Sequence, residues 1–121
     1  MIPKPNHKHQ KPPKNIPAVI KRQVDERDKH TCQKSGERGT ERHHIVPAGM
    51  GRRRVHTLEN LITLSTRWHK WAQETEEGKI WCENWSRKLY GNAIDLIKEH
   101  GHKWKDYLRE LALIRINEEG E

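Results

Sequence analysis

Four histidines and one asparagine fall within the 27 residues from His43 to His69, and the local sequence in that window is first typical of strands and then of a helix. Glu41–Val46 has the composition of a short strand that ends at a proline, and Asn60–Leu64 combines β-branched residues with flanking leucines. A helix is expected to begin near Arg67 after a serine or threonine cap. The window therefore predicts a two-stranded antiparallel hairpin followed by one helix.

Apolar residues elsewhere recur at helical spacing, which predicts helices around the hairpin and an α+β fold class. Two glycines stand where helices are expected to stop, at Gly91 and Gly101. The segments Thr31–Gly39 and Ala48–Val55 are expected to form a turn and a loop. Helices are expected from Pro17 to about Asp28, from Ile80 to Tyr90, from Ile94 to Gly101, and from Trp104 onward.

The domain organisation follows from length and composition. With 121 residues, of which 31% are hydrophobic, the chain has the material for one small core. Residues 1–15 contain four prolines, four lysines and no acidic residue, so they are expected to form a flexible basic arm. Residues 16–121 are expected to form a single domain, with its motif core at 30–73 and a helical C-terminal extension at 74–121.

Positive charge is concentrated in the first part of the chain. The net charge is +7 and the pI is about 9.6. Residues 1–70 hold 16 Lys and Arg against 6 Asp and Glu, whereas residues 71–121 hold 8 against 11. This segregation favours contact with a polyanion such as nucleic acid on the side that carries the histidines. The basic arm either touches DNA phosphates or serves only as a solubilising tail, and the sequence does not separate the two.

Several classes of protein are disfavoured. Two cysteines, Cys32 and Cys82, are too few for a disulfide scaffold, so a reducing compartment is expected. No apolar run reaches the roughly 20 residues of a membrane span, and the N-terminal residues have no apolar signal core. We therefore expect a cytoplasmic protein, in the host cytoplasm if it is phage-encoded, that is not secreted and has no membrane partner.

The histidines suggest hydrolytic chemistry. Because His43 and His44 are adjacent on a strand, their side chains are expected to face opposite ways and to have different roles. One of them could bind a divalent cation together with His69, while the other takes a proton from a water molecule that attacks phosphorus. Asn60 could hydrogen-bond the backbone across the loop. Each residue taken singly is also compatible with an ordinary polar strand or turn position.

The segments ERHHIVP, LENLITLS and WHKW stand in an order and spacing that resemble the HNH endonucleases, over about residues 30–73. The resemblance is to small phage-type HNH nucleases, and it implies a ββα-metal site and metal-dependent hydrolysis of DNA phosphodiester bonds with low sequence specificity. By this resemblance His43 and His69 are metal ligands, His44 is the general base, and Asn60 orients the loop.

The departures from the family pattern concern the metals. Many HNH relatives bind a structural zinc with two Cys-x-x-Cys pairs, whereas this chain has Cys32, Ser35, Ser65 and Trp68 at those positions. One thiolate cannot make a zinc knuckle, so we expect no structural zinc and apolar packing around Trp68 in its place. Gln73 stands where some members have a third histidine. The catalytic cofactor is expected to be one divalent ion, Mg²⁺ or Mn²⁺ in turnover, although imidazole also suits Zn²⁺, Ni²⁺ or Co²⁺.

The remaining expectations concern partners. Double-stranded DNA is the expected substrate, and relatives of this type often work beside a phage terminase or another packaging protein. A monomer or weak dimer is expected, and the alternative is a catalytically silent HNH-like module for DNA binding or assembly. His56 could be a further ligand, a phosphate contact or a solvated loop residue. The tryptophans are expected to pack in the core and not to stack on bases. The candidate DNA-binding residues are Arg42, Arg52, Arg53, Arg54 and Lys70.

Overall fold

The computed structural model describes residues 15–49 and 53–119, with side chains up to Ile114. The expected arm at residues 1–15 lies outside this range except for its last residue. The chain is a mixture of helix and strand with one antiparallel hairpin, which confirms the α+β class. None of the helices in the described part combines the length and apolar character that a transmembrane span requires. The elements are α1 (Ala18–Asp28), β1 (Glu41–His44), β2 (Leu61–Leu64), α2 (Thr66–Glu74), α3 (Glu76–Tyr90), α4 (Ala93–His100) and α5 (Trp104–Glu119).

The hairpin is shorter at both strands than the sequence predicts. β1 pairs with β2 in a register that places His43 opposite Ile62. The strand was expected to reach Val46, but there the backbone bonds to the side chain of Asn60 and no longer to a strand. Asn60 was expected to begin β2, yet its N–H donates to the carbonyl of Thr57 and closes a 3-10 turn, so β2 begins one residue later.

Side-chain caps set the junction between α2 and α3. Ser65 Oγ accepts the Trp68 N–H at the start of α2, and Thr75 Oγ1 accepts the Gly78 N–H, 2.9 Å away, at the start of α3. A Cβ on Gly78 would lie 2.5 Å from the carbonyl oxygen of Trp71, so only glycine allows this close approach of the two helices. α2 is therefore fixed at both ends, and it carries the third histidine of the motif.

The core lies between the hairpin and the helices that follow it. All four residues of β2 are buried, and Ile62 and Leu64 share the core with α4 and with Trp104, which is also buried. The core position expected for Trp104 is confirmed. The other four tryptophans pack against the core while staying partly exposed. Burial raises the pKa of the Cys82 thiol to about 12, as expected for a buried side chain with no reactive role.

Arg27, near the end of α1, holds the turn that carries Asn60. Its guanidinium donates to the carbonyls of Leu58, at 2.6 Å, and Leu61, at 2.5 Å, on either side of Asn60. The neighbouring carboxylate of Asp28 accepts two further bonds from the same group, at 2.7 and 2.9 Å. A guanidinium carries five N–H donors in one plane, so a single arginine can bridge several acceptors in this way. α1 therefore positions a turn that lies more than thirty residues later in the chain.

Candidate active site

One cleft of about 610 Å³ brings the motif histidines together. It is bordered by the end of β1, by α2, and by the segment that leads into β2. His43, His44, His69, Gln73 and Arg54 all line it, and we call it the histidine cleft. The two adjacent histidines were expected to face opposite ways, yet both line this cleft, and their rings contact different partners, His69 and His56.

His43 and His69 are close enough to share an ion. Their ring centroids lie 5.0 Å apart and their planes are inclined by 64°. Two imidazoles that bind one ion through nitrogens at about 2.1 Å, at a roughly tetrahedral angle, have centroids about 5 Å apart. Among residues 15–49 and 53–119, no group of three or more His, Cys, Asp or Glu side chains is arranged to hold a metal ion. The centroid distance of His43 and His69 is compatible with an ion held between these two imidazoles.

Glu41 is a contributor that the sequence interpretation missed. Its Oε2 lies 3.9 Å from Nδ1 of His69. This separation exceeds hydrogen-bond length, so the carboxylate is a neighbour of the ring and not a hydrogen-bond partner. Glu41 precedes His43 by two residues on β1, so the period of a strand already places both on one face. That alternation is the signal that could have identified it.

Both adjacent histidines are uncharged at neutral pH. Burial lowers the pKa of His43 to about 4, with smaller contributions from His69 and His44. Burial also lowers the pKa of His44 to about 4, followed by the effects of His56, Arg54 and His69. A neutral imidazole has a lone pair for an ion or for a proton. An anionic phosphate in the cleft would raise the pKa of His44 from this low value.

These shifts predict that the metal-free protein loses stability as the pH falls from 7.5 to 5. The ordinary histidine pKa of 6.5 exceeds the folded value of about 4, so the unfolded state binds the protons first. The ring of His43 should lower the free energy of unfolding by about 2 kcal/mol over this interval, and the more exposed ring of His44 by less. Urea denaturation in the presence of a chelator measures it, and His43→Gln should flatten the profile. If the free energy of unfolding of the wild type depended on pH no more than that of His43→Gln, the burial of a neutral ring at His43 would be contradicted.

His44 has a direct side-chain neighbour in His56. Nε2 of His44 and Nδ1 of His56 lie 3.0 Å apart, and the ring centroids are 5.1 Å apart. The sequence left three roles open for His56, namely ligand, phosphate contact and solvated residue. The structure instead brings it to the expected general base.

Asn60 bridges the two ends of the loop between the strands. The residue is fully buried. Its Oδ1 accepts the N–H of Val46 at 2.8 Å, and its Nδ2 donates to the carbonyls of Val46, at 3.2 Å, and Val55, at 3.0 Å. The expected hydrogen bonds across the loop are therefore present, and one side chain fixes where the loop leaves β1 and where it returns.

The expected DNA-binding arginines lie in different surroundings. Arg54 lines the histidine cleft beside His44. Arg42 also lines it, and its guanidinium pairs with both carboxylate oxygens of Asp25 at 3.1 and 2.6 Å. Arg53 borders a neighbouring cleft of about 480 Å³. Of these three residues, Arg54 is the best placed for a phosphate in the histidine cleft.

Other cations at the cleft come from distant helices. Lys21 on α1 and Lys79 on α3 both line it. Lys70, an expected DNA contact, is exposed on α2 but does not line the cleft. Arg52 lies outside the described residues. Nothing in the local sequence around Lys21 or Lys79 marks them, because only the packing of separate helices brings them to the site.

The region where many HNH nucleases carry a zinc knuckle is filled here by aromatic rings and a lysine. Ser65 serves as the helix cap, and the Nζ of Lys34 lies over three indole rings, at 5.1 to 5.4 Å from their centroids. The rings are those of Trp68, Trp71 and Trp81, and the first two meet edge to face at 5.1 Å. Cation–π contacts of this kind contribute about 0.5 to 2 kcal/mol each. The expected packing around Trp68 is present. The contact of Lys34 with these rings was not predicted from the sequence.

Comparison of the chain with protein-family models, with curated proteins and with solved structures found no match. The functional interpretation therefore depends on the sequence motif and on the geometry of the histidine cleft.

Proposed function

We propose that the chain is a divalent-metal-dependent DNA endonuclease with a ββα-metal site of the HNH type. The observation that supports this most strongly is the 5.0 Å approach of His43 and His69, which come from β1 and α2. The uncharged His44 borders the same cleft. A ligand pair beside a free imidazole suits the hydrolysis of a phosphodiester by water.

Each residue of the cleft has a task in this reaction. A divalent ion bound by His43 and His69 would supply positive charge beside the phosphate oxygens and the leaving oxygen. His44 takes the proton from the attacking water. Asn60 keeps the loop in register with β1. Mg²⁺ or Mn²⁺ would suit turnover, because these ions prefer oxygen ligands such as water and phosphate.

DNA is expected to bind mainly through its phosphates. Lys21, Arg54 and Lys79 border the histidine cleft from three different parts of the chain. Cations that surround a cleft contact the sugar–phosphate backbone regardless of base sequence. We therefore propose low sequence specificity.

Lys79→Ala is expected to reduce the salt dependence of DNA binding. Removing one phosphate contact should lower the slope of log K against log salt by about one. Lys88→Ala is the matched control, since it removes the same charge from the exposed surface of α3 outside the cleft. Fluorescence anisotropy with a short duplex at several salt concentrations measures both slopes. Equal slopes for the two variants would show that the cleft does not direct the DNA.

Incubation with supercoiled plasmid tests the proposed activity. Nicked or linear product should appear with Mg²⁺ or Mn²⁺ and disappear when EDTA is added, and it should diminish at high salt. Retention of plasmid with no cleavage by any divalent ion would favour the silent DNA-binding module and overturn the proposal.

A further inference from the structure

We infer that His56 is a positioning residue for His44: it accepts a hydrogen bond from Nε2–H of His44 and thereby leaves the lone pair of that ring on Nδ1. The inference rests on the proposed function, in which His44 is the general base. It adds a second histidine to the site and names the nitrogen that receives the proton.

The contact itself is well formed. The two nitrogens lie 3.0 Å apart, at the usual length of an N–H···N or N–H···O bond, and both rings are half-buried. Within residues 15–49 and 53–119, no other hydrogen bond is made by the ring of His44. His56 is therefore the group in this part of the chain that sets the orientation of His44.

The direction of the bond follows from tautomer chemistry. A neutral imidazole carries one N–H donor and one acceptor nitrogen, and the bond at one nitrogen decides the state of the other. If His44 donates through Nε2, both rings carry their proton on Nε2, which is the more stable tautomer of a free histidine in water. If His56 donates instead, both rings must take the less stable Nδ1–H form. The first arrangement is therefore favoured, and it exposes the Nδ1 lone pair of His44 as the base.

The backbone holds His56 in place through Asn60. The preceding residue, Val55, is buried, and its carbonyl accepts from Nδ2 of Asn60 at 3.0 Å. The following residue, Thr57, accepts the N–H of Asn60 at 3.0 Å. Both neighbours of His56 are thus tied to one buried residue, Val55 to the side chain of Asn60 and Thr57 to its backbone N–H. Through these bonds, the residue that orients the loop also delivers His56 to His44.

Two variants separate a positioning role from a merely structural one. His56→Asn keeps an acceptor near the position of Nδ1, whereas His56→Leu removes it at similar volume. Imidazole ¹⁵N–¹H correlation spectra of the metal-free protein report the tautomer of His44 without any activity. The wild type and His56→Asn should show Nε2–H, and His56→Leu should show a mixture of both tautomers. A wild-type spectrum with the proton on Nδ1 would overturn the inference.

Plasmid cleavage supplies the second readout. His56→Leu should lower kcat about tenfold or more with KM unchanged, since it forfeits part of a general-base contribution of about 10² to 10⁴. His56→Asn should restore most of kcat. Wild-type kcat in a folded His56→Leu protein would contradict the inference. If His56→Leu does not fold, the spectra of the wild type and of His56→Asn still show which nitrogen of His44 carries the proton. If the wild type cleaves no plasmid, the proposed function fails, but the spectra still test the contact between His44 and His56. Failure of the proposed function and failure of the inference can therefore be distinguished.

Discussion

His44→Ala is expected to lower kcat for plasmid cleavage by a factor on the order of 10² to 10⁴. The variant removes the uncharged ring that borders the cleft beside His43 and His69, and no other residue described there is placed to take its role. The ion should still bind, because neither proposed ligand is changed. The measurement is single-turnover nicking at saturating Mn²⁺, so that DNA binding does not limit the rate.

An exposed histidine provides the matched control for this experiment. His30 lies at the surface after α1 and does not line the histidine cleft, so His30→Ala should cleave at the wild-type rate. Thermal unfolding followed by circular dichroism checks that both variants are folded. A folded His44→Ala protein that nicks as fast as His30→Ala would remove His44 as the general base.

Asn60→Ala is expected to lower the free energy of unfolding by about 3 to 5 kcal/mol, since each buried group left without a partner costs about 1 to 3 kcal/mol. The substitution removes the side-chain partner of three backbone groups, namely the N–H and the carbonyl of Val46 and the carbonyl of Val55. Asn60→Asp should be comparably damaging, because its carboxylate would face the two carbonyl oxygens. Urea denaturation at pH 7.5 gives both values.

A surface asparagine calibrates that result. Asn84 is exposed on α3, where its side chain accepts one bond from Arg87. Asn84→Ala should change the free energy of unfolding by less than about 0.5 kcal/mol, as surface substitutions usually do. If Asn60→Ala lost no more than this control, the bridge between the two ends of the loop would carry no stability.

The helices and the hairpin could be predicted because their signals are local. Helical periodicity, the cap at Ser65 and the stop at Gly91 each involve residues within a few positions of one another. The end of β1 could not be predicted in this way. It depends on Val46 bonding to the side chain of Asn60, fourteen residues later, and no strand propensity encodes that partner.

The same distinction applies to the site. The motif marked His43, His44 and His69, and the structure brings these three side chains to one cleft. The positions of Lys21 and Lys79 depend on how α1 and α3 pack, so the local sequence does not predict that these lysines line the cleft. The sequence did not predict the contact between His56 and His44. That contact depends on a turn that Arg27 and Asn60 hold in place.

Calorimetric titration of the metal-free protein with Ni²⁺ tests the central claim most directly, since imidazole nitrogen binds this ion well. The wild type and His44→Ala should each bind one ion per chain with similar affinity. His43→Ala and His69→Ala should each weaken binding by about 100-fold or more, beyond the 10- to 100-fold contributed by outer residues alone. If either variant that lacks a proposed ligand bound Ni²⁺ as tightly as the wild type, the two imidazoles would not share an ion.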